Sequence, residues 1–283
     1  MPDRKEIRLQ IGTNVIQTGS AYDWDCLSVV GDDYMDADIS LGDLAAGDGA
    51  YIKNTRYNPR YVDITIRSKL NSSAQIDATE LLLKQYLSIK CDSILTIYKN
   101  GVTRIGYGRV ADVKKPRDWK WNSIPQVTIT FVMPDPWFIG GTYTDPFYSS
   151  TPLISFPLSF ITGVGLTVGA IVSGNSVTLN VGGHEPTGFI LTLTASGTVV
   201  NPKVTDANGE FVTIKETMST GDVAVISTVA RDKYTTLNGV VCKYDRLSSF
   251  PEMAVGSNTL TVTADSGIAN LVKSIAWSER YRG

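Results

Sequence analysis

The chain has 283 residues, of which 42% are hydrophobic, and its 26 basic and 28 acidic residues leave a formal charge of −2. This length accommodates one large all-β domain or two ordinary domains, and the charge excludes the strongly basic surface of a general nucleic-acid-binding protein. Three widely spaced cysteines (Cys26, Cys91 and Cys242) form neither a disulfide framework nor a zinc site. The first residues lack the apolar core of a signal peptide, so we expect folding in a reducing cytoplasm.

Strands are predicted through most of the first half. Residues 7–17 read as two short strands around a Gly-Thr-Asn turn, and residues 61–68 and 126–133 alternate apolar and polar side chains. Between them, the runs 93–98 and 102–107 flank an Asn-Gly pair, which is the strongest short signal for a β-hairpin.

One amphipathic helix is predicted, over residues 73–89, with Ser73 as its N-cap. Its apolar stripe has helical spacing and consists of Ile76, Leu82, Leu83, Tyr86 and Leu87. A single such helix in a β protein most simply covers an open sheet face or a barrel end.

Charge is distributed unevenly along the first half. Residues 23–48 contain eight acidic residues and no basic ones, whereas residues 53–69 contain five basic residues and one acid. We interpret the acidic stretch as Asp- and Gly-rich loops around one short strand, 37–41; it lacks the residue order of an EF-hand calcium loop. The two segments meet either within one subunit or across a subunit boundary. The candidate interface residues are Asp32, Asp33, Asp36, Asp38, Arg56, Arg60 and Arg67.

A domain boundary is predicted near residue 145, which gives domains 1–145 and 146–283. Five prolines fall between residues 133 and 160, where we therefore expect no central strand. The second half shows the strand-and-turn rhythm of a β-sandwich. Its predicted strands are 176–181, 188–195, 210–214, 222–227 and 258–263.

An uncharged stretch follows that boundary. Residues 153–174 are long enough to cross a bilayer, but Pro157 and several glycines interrupt them and the apolar residues alternate as in a strand. We interpret residues 153–183 as buried or partner-covered strands and expect no membrane insertion.

Catalytic, metal and cofactor motifs are not found in the sequence. The single histidine, His184, lies in a Gly-rich turn without the spacing of a zinc protease, and no P-loop, Gly-x-Ser-x-Gly or dinucleotide fingerprint occurs. We therefore expect no enzyme, no metal and no cofactor. Trp119, Trp121 and Trp137 are interpreted as core or junction packing, with contact to a partner or glycan as the alternative.

Several weak motifs, taken in order, resemble the siphophage distal tail protein (Dit) family of tail-tip and baseplate hub components. In the first half these are the Gly-rich entry 47–51, the Arg-led strand 58–66 before the helix, and the Pro-Asp-Pro-Trp-Phe segment 134–138. The second half adds an ordered series of similar motifs: 201–204, 210–214, 220–222, 237–239, 250–253, 256–262 and 280–282.

The resemblance implies a mainly β fold: an N-terminal β-barrel-like, ring-forming domain with one α-helix, and a C-terminal β-sandwich similar to galectins and carbohydrate-binding modules. It further implies a hexameric ring in the virion, assembled from protein made in the host cytoplasm. The ring stacks on the tail tube protein, with the tail-tip (tail-associated) protein below and receptor-binding protein outside. This places the protein in host attachment and genome ejection, with DNA passing through the channel without specific binding.

On this resemblance, we expect the acidic segment 23–48 to meet the basic segment 53–69 of the next subunit, since a ring uses unlike faces. Two other functions remain as alternatives. A carbohydrate-binding adhesin would present Trp or Tyr residues along a groove of the second domain. A tail-associated cell-wall hydrolase would need a convergent carboxylate pair.

Overall fold

The computed structural model describes residues 5–44, 48–69, 73–99, 101–115, 126–152 and 169–283. The chain divides into two compact units: unit 1 comprises Met1–Gly140 with Arg280–Gly283, and unit 2 comprises Gly141–Glu279. The chain enters unit 2 within β10 (Phe138–Asp145) and returns within β23 (Leu271–Tyr281). The division into domains 1–145 and 146–283 stays a prediction.

Unit 1 is built from antiparallel strands and the helix α1. Its elements are β1 (Glu6–Ile11), β2 (Asn14–Gln17), β3 (Trp24–Val30), β4 (Ala37–Asp43), β5 (Ala50–Tyr57), β6 (Arg60–Ser68), α1 (Ser73–Tyr86), β7 (Ser93–Lys99), β8 (Val102–Lys114) and β9 (Gln126–Met133).

Seven of these strands form a barrel-like sheet in the order β2-β1-β7-β8-β9-β6-β3. The long strand β8 turns the corner, because its first half pairs with β7, its second half pairs with β9, and a bulge lies between Val110 and Asp112. The two end strands approach each other through a parallel bridge between Thr18 and Trp24. The β-barrel-like fold expected for the first half is therefore confirmed.

Alternation places one face of each strand in the core of this barrel. On β6, Val62, Ile64 and Ile66 are fully buried, as the period-two pattern predicted. Leu83 of α1 joins the same core, and Tyr86 and Leu87 pack against it. The helix thus covers the barrel core as expected, although it ends at Tyr86 and not at residue 89.

The expectation of loops around one short strand in the acidic stretch was wrong. Residues 23–48 contain β3 as well as β4, and the following segment forms β5. The Asp-rich composition concealed these strands because their acidic side chains lie on the exposed positions of β4 or pair with basic residues of β6.

Unit 2 consists of strands and one short 3₁₀ helix, Ile268–Asn270. In addition to β23, its strands are β11 (Tyr148–Pro152), β12 (Gly169–Ser173), β13 (Ser176–Val181), β14 (Phe189–Ala195), β15 (Val199–Val200), β16 (Lys203–Thr205), β17 (Phe211–Thr213), β18 (Thr217–Met218), β19 (Val223–Ser227), β20 (Tyr234–Leu237), β21 (Val240–Val241) and β22 (Gly256–Thr263).

Two sheets of unit 2 enclose one apolar core. One sheet runs β23-β14-β19-β20-β21 and the other β13-β22-β16-β17. Their inward side chains, such as Leu191 and Ile226 from the first sheet and Leu260 and Val204 from the second, belong to a single buried cluster. The predicted β-sandwich is confirmed, and all five predicted strands of the second half occur within one or two residues of their expected ends.

The proline-rich segment contains two strands, β10 and β11, which contradicts the expectation that it holds no central strand. β10 has partners in β8 and β23. It is possible because residues 138–145 lie between Pro136 and Pro146, so that no proline removes a backbone donor within the strand.

The uncharged stretch falls largely outside the described residues, which include only its part from Gly169 onward. Among the helices of the described chain, none is long and apolar enough to cross a membrane.

Candidate assembly surface

Strands β4 and β5 of unit 1 form a hairpin that is a separate two-stranded sheet. Their register runs from the Ala37–Tyr57 pair to the Asp43–Ala50 pair, with a bulge between Ser40 and Leu41. Within the described residues, neither strand pairs with any other strand. Both outer edges of the hairpin are therefore sheet edges without a strand partner among the described residues.

One face of this hairpin is apolar. Ile39 and Leu41 alternate on β4, and Ile52 lies opposite Leu41 on β5, so the three side chains point to the same side. They are 52%, 59% and 64% exposed. Apolar side chains of this size normally lose most of that exposure when a sheet face is packed, and here no residue that the structure describes covers them.

The opposite face of the hairpin is polar. Asp38 lies across from Arg56, and their side chains form an exposed ion pair at 3.0 Å. Ser40 and Asn54 form the next pair along the strands. The hairpin is consequently a two-faced ribbon, with charge on one side and aliphatic side chains on the other.

An aromatic contact fixes the base of the hairpin. The ring of Tyr57, the last residue of β5, meets the ring of Trp137 edge to face at 5.1 Å. The guanidinium of Arg280 lies 5.2 Å from the Trp137 ring and also pairs with Asp135 at 3.3 Å. Of the three tryptophans singled out in the sequence, Trp137 thus packs at this base, while Trp119 and Trp121 lie outside the described residues.

Arg60 connects the base of the hairpin to two other segments. Its guanidinium donates hydrogen bonds to the carbonyls of Gly31 (3.3 Å), Asp32 (3.1 Å) and Arg282, and lies 4.7 Å from the Phe138 ring. The residue is only 4% exposed, and this burial lowers the pKa of the guanidinium. Arg60 is therefore a structural clamp within unit 1.

The acidic and basic segments meet within one chain. Asp25 accepts ion pairs from Arg67 at 3.1 Å and Lys69 at 3.5 Å, and Asp32 pairs with Lys5 at 2.5 Å. The buried or half-buried members of the predicted interface set thus have partners inside unit 1. Four of that set are exposed: Asp33, Asp36, Asp38 and Arg56.

A cleft of about 280 Å³ lies beside this cluster, lined by residues that include Asp32, Asp33, Lys99 and Arg104. Its charges are mixed, which does not favour one class of charged ligand. Across the described ranges, no group of three or more His, Cys, Asp or Glu side chains is arranged to hold a metal ion.

In unit 2, the exposed ring of Tyr143 stacks on Trp277 with centroids 5.5 Å apart. The Tyr143 hydroxyl donates to Glu279, 3.4 Å away, and Glu279 also accepts the backbone N–H of Gly182 at 2.7 Å. The position of the Tyr143 ring is therefore explained by packing and hydrogen bonding within unit 2, and it does not require a bound glycan.

Reasoning from the sequence missed the apolar face of the hairpin. The signal was present in Ala37, Ile39 and Leu41, which alternate with Asp38 and Ser40 at the period of a strand. The alternation is difficult to recognise in the sequence because aspartates occupy positions between and beside the apolar residues.

The chain thus combines a barrel-like unit that carries the β4–β5 hairpin with a β-sandwich unit. Residues 182–281 match the family described as siphovirus-type tail component, C-terminal domain, and the resemblance to siphophage distal tail proteins is thereby confirmed. The match covers most of unit 2. No curated protein matches the chain.

Solved structures show the same fold over nearly the whole chain. The Dit protein (gp 19.1) of phage SPP1, described as a paradigm of the hub adsorption apparatus in phages that infect Gram-positive bacteria, aligns with a TM-score of 0.68 and 12% identity over 97% of this chain and 98% of its own. A chain of the activated phage P2 baseplate aligns with a TM-score of 0.52 in the calcium-bound form (10% identity) and in the strontium-bound form (11%), again over 97% and 98% of the two chains.

Proposed function

We propose that this protein is a structural component of the tail tip or baseplate of a siphophage, present in the virion as part of the hub. The observation that carries the proposal is the match of residues 182–281 to a siphovirus tail-component family. The shared fold with the SPP1 Dit protein over 97% of the chain supports extending the assignment to unit 1.

The assembled form we propose is a hexameric ring. A ring requires heterologous contacts, in which one surface of a subunit meets a different surface of its neighbour. Unit 1 offers unlike surfaces of this kind, because it carries an apolar hairpin face and a separate exposed charged segment.

Within the tail, the ring would connect the tail tube protein to the tail-tip protein and support the receptor-binding protein. The genome would leave through its channel. A net charge of −2 suits that passage, because a strongly basic lining would hold the phosphate backbone and slow the DNA.

Two measurements test this function. Immunogold labelling of intact virions with antibody against the purified protein is expected to mark the distal end of the tail, and negative-stain images of the protein are expected to show six-fold rings with a central hole. Label on the capsid, or absence of label from virions, would contradict the tail-tip role. Particles of another symmetry would contradict the hexamer alone.

A further inference from the structure

We propose that residues 280–283 act as a strap that completes unit 1 only after unit 2 has been synthesised. These residues belong to unit 1, although about 140 residues separate them from Gly140, where the main segment of that unit ends. Such a strap is a folding device and does not depend on the proposed tail-tip role.

The side chains of the strap bind unit 1 at two places. Arg280 pairs with Asp135 at 3.3 Å, and its guanidinium lies 5.2 Å from the centre of the Trp137 ring. Tyr281 packs against the barrel core, and the guanidinium of Arg104 lies 3.4 Å from the centre of the Tyr281 ring. The strap therefore holds unit 1 through an ion pair and two cation–π contacts.

Two backbone carbonyls of the strap accept hydrogen bonds from arginines of the barrel. The Arg282 carbonyl accepts one from Arg60, and the Gly283 carbonyl accepts one from Arg104 Nε at 3.4 Å. Arg60 is 4% exposed, and among the described residues its Nε has no hydrogen-bond partner. Without the strap, the Arg60 guanidinium would lose one acceptor and part of its cover. Because a buried charge with too few acceptors is costly, the strap contributes strongly to the stability of unit 1.

The strap is also packed tightly against the barrel. A methyl group on Gly140 would lie 2.6 Å from the Tyr281 ring, which is too close for a contact between carbon atoms. Further along the strap, Gly283 lines the cleft of about 280 Å³ together with Phe138 and Arg104. Removing the strap would therefore expose these positions of β8 and β10 to water.

Synthesis separates the barrel from its strap in time. Chains grow at roughly 5–20 residues per second, so residues 280–283 follow Gly140 by about 7–28 seconds. Small β domains fold within milliseconds to seconds, so the barrel can collapse before the strap exists. In that interval unit 1 lacks an ion pair, two carbonyl acceptors and the packing of Tyr281. Unit 1 therefore becomes fully stable only in a chain that already contains unit 2.

A chain that stops after Glu279 tests the strap directly. Losing the hydrogen bonds to two arginines should speed amide hydrogen exchange in β6 and in the turn after β3 about 100-fold. Strands β14 and β19 of unit 2 should exchange as in the wild type. Hydrogen-exchange mass spectrometry measures both units. Unchanged exchange in β6 would overturn the proposal, as would equal acceleration in the two units.

A milder variant, Tyr281→Ala, keeps the backbone of the strap. Losing the cation–π contact and the packing of the ring should speed exchange in β6 about tenfold. The matched control is Tyr34→Ala, which removes the same side chain from a position of unit 1 that is 90% exposed and should leave the exchange unchanged. Equal effects of the two tyrosine substitutions would count against the strap.

Ribosome-stalled chains test the timing. The full chain is followed by a linker and a stall sequence, so that a short linker keeps residues 280–283 inside the ribosome and a long linker releases them. Thermolysin should cut within residues 1–140 when the linker is short and spare them when it is long. Equal resistance of residues 1–140 with both linkers would overturn the proposed delay.

Discussion

Arg60 is charged and buried, and its three carbonyl acceptors explain how unit 1 tolerates it. Replacing Arg60 with Ala removes the donors and leaves those carbonyls without them, so we expect the free energy of unfolding to fall by about 3 kcal/mol. Urea denaturation followed by tryptophan fluorescence measures the change.

The control for Arg60 is Arg56→Ala. Its ion pair with Asp38 is exposed on both sides, and such pairs contribute at most about 1 kcal/mol. Equal losses for the two variants would show that Arg60 is not a buried clamp.

The cysteines should differ in reactivity. Burial raises the pKa of the Cys26 thiol to about 11, whereas Cys91 is exposed. Because the thiolate is the nucleophile, a short iodoacetamide pulse at pH 8 should alkylate Cys91 well before Cys26, as read by peptide mass spectrometry. In guanidinium chloride the difference should disappear; Cys26 reacting first in the folded protein would contradict its burial.

The same shift gives a pH dependence of stability. The Cys26 thiol keeps its proton in the folded state at pH values where the same thiol in the unfolded chain already ionises. Ionisation therefore favours the unfolded state, and the free energy of unfolding should fall as the pH rises from about 9 towards 11. Cys26→Ser should flatten the decline in melting temperature over this range.

Two turns of unit 1 contain a glycine with positive φ, Gly31 after β3 and Gly101 between β7 and β8. Gly31 has φ of 91°, and a methyl group there would collide with the carbonyl of Tyr61; Gly101 has φ of 77° with open space around it. Gly101→Ala should therefore cost about 1 kcal/mol from backbone strain alone, whereas Gly31→Ala should cost clearly more. Thermal unfolding of both variants measures this, and similar melting temperatures would contradict the close approach at Gly31.

The sequence predicted strands correctly where apolar and polar side chains alternate without interruption. It failed where charged side chains occupy positions on the buried face. β6, β9 and β13 were predicted to within a residue. β23 was missed because Lys273 and Glu279 occupy its buried face between apolar residues. Asn175 accepts a hydrogen bond from Lys273 and Gly182 donates one to Glu279, and only the folded chain brings these partners to the strand.

At the scale of the whole molecule, each unit has its own apolar core, with Phe131 fully buried in unit 1 and Phe189 in unit 2. We propose that the units are separate folding domains. Phe131→Ala should then destabilise unit 1 by about 3–5 kcal/mol and increase hydrogen exchange there, with unit 2 unchanged, and Phe189→Ala should do the reverse. Equal loss of protection in both units from either variant would show one cooperative domain.

The sequence by itself determined the fold class, the helix, most strands and the family resemblance, because these follow from local periodicity, turn residues and the order of motifs. Only the tertiary structure decided which charges pair inside the chain, where β23 lies and which face of the hairpin is exposed among the described residues. The physical reason is that burial and ion pairing depend on residues far apart in the sequence, such as Arg60 and Arg282, whose approach is set by the packing of the whole barrel.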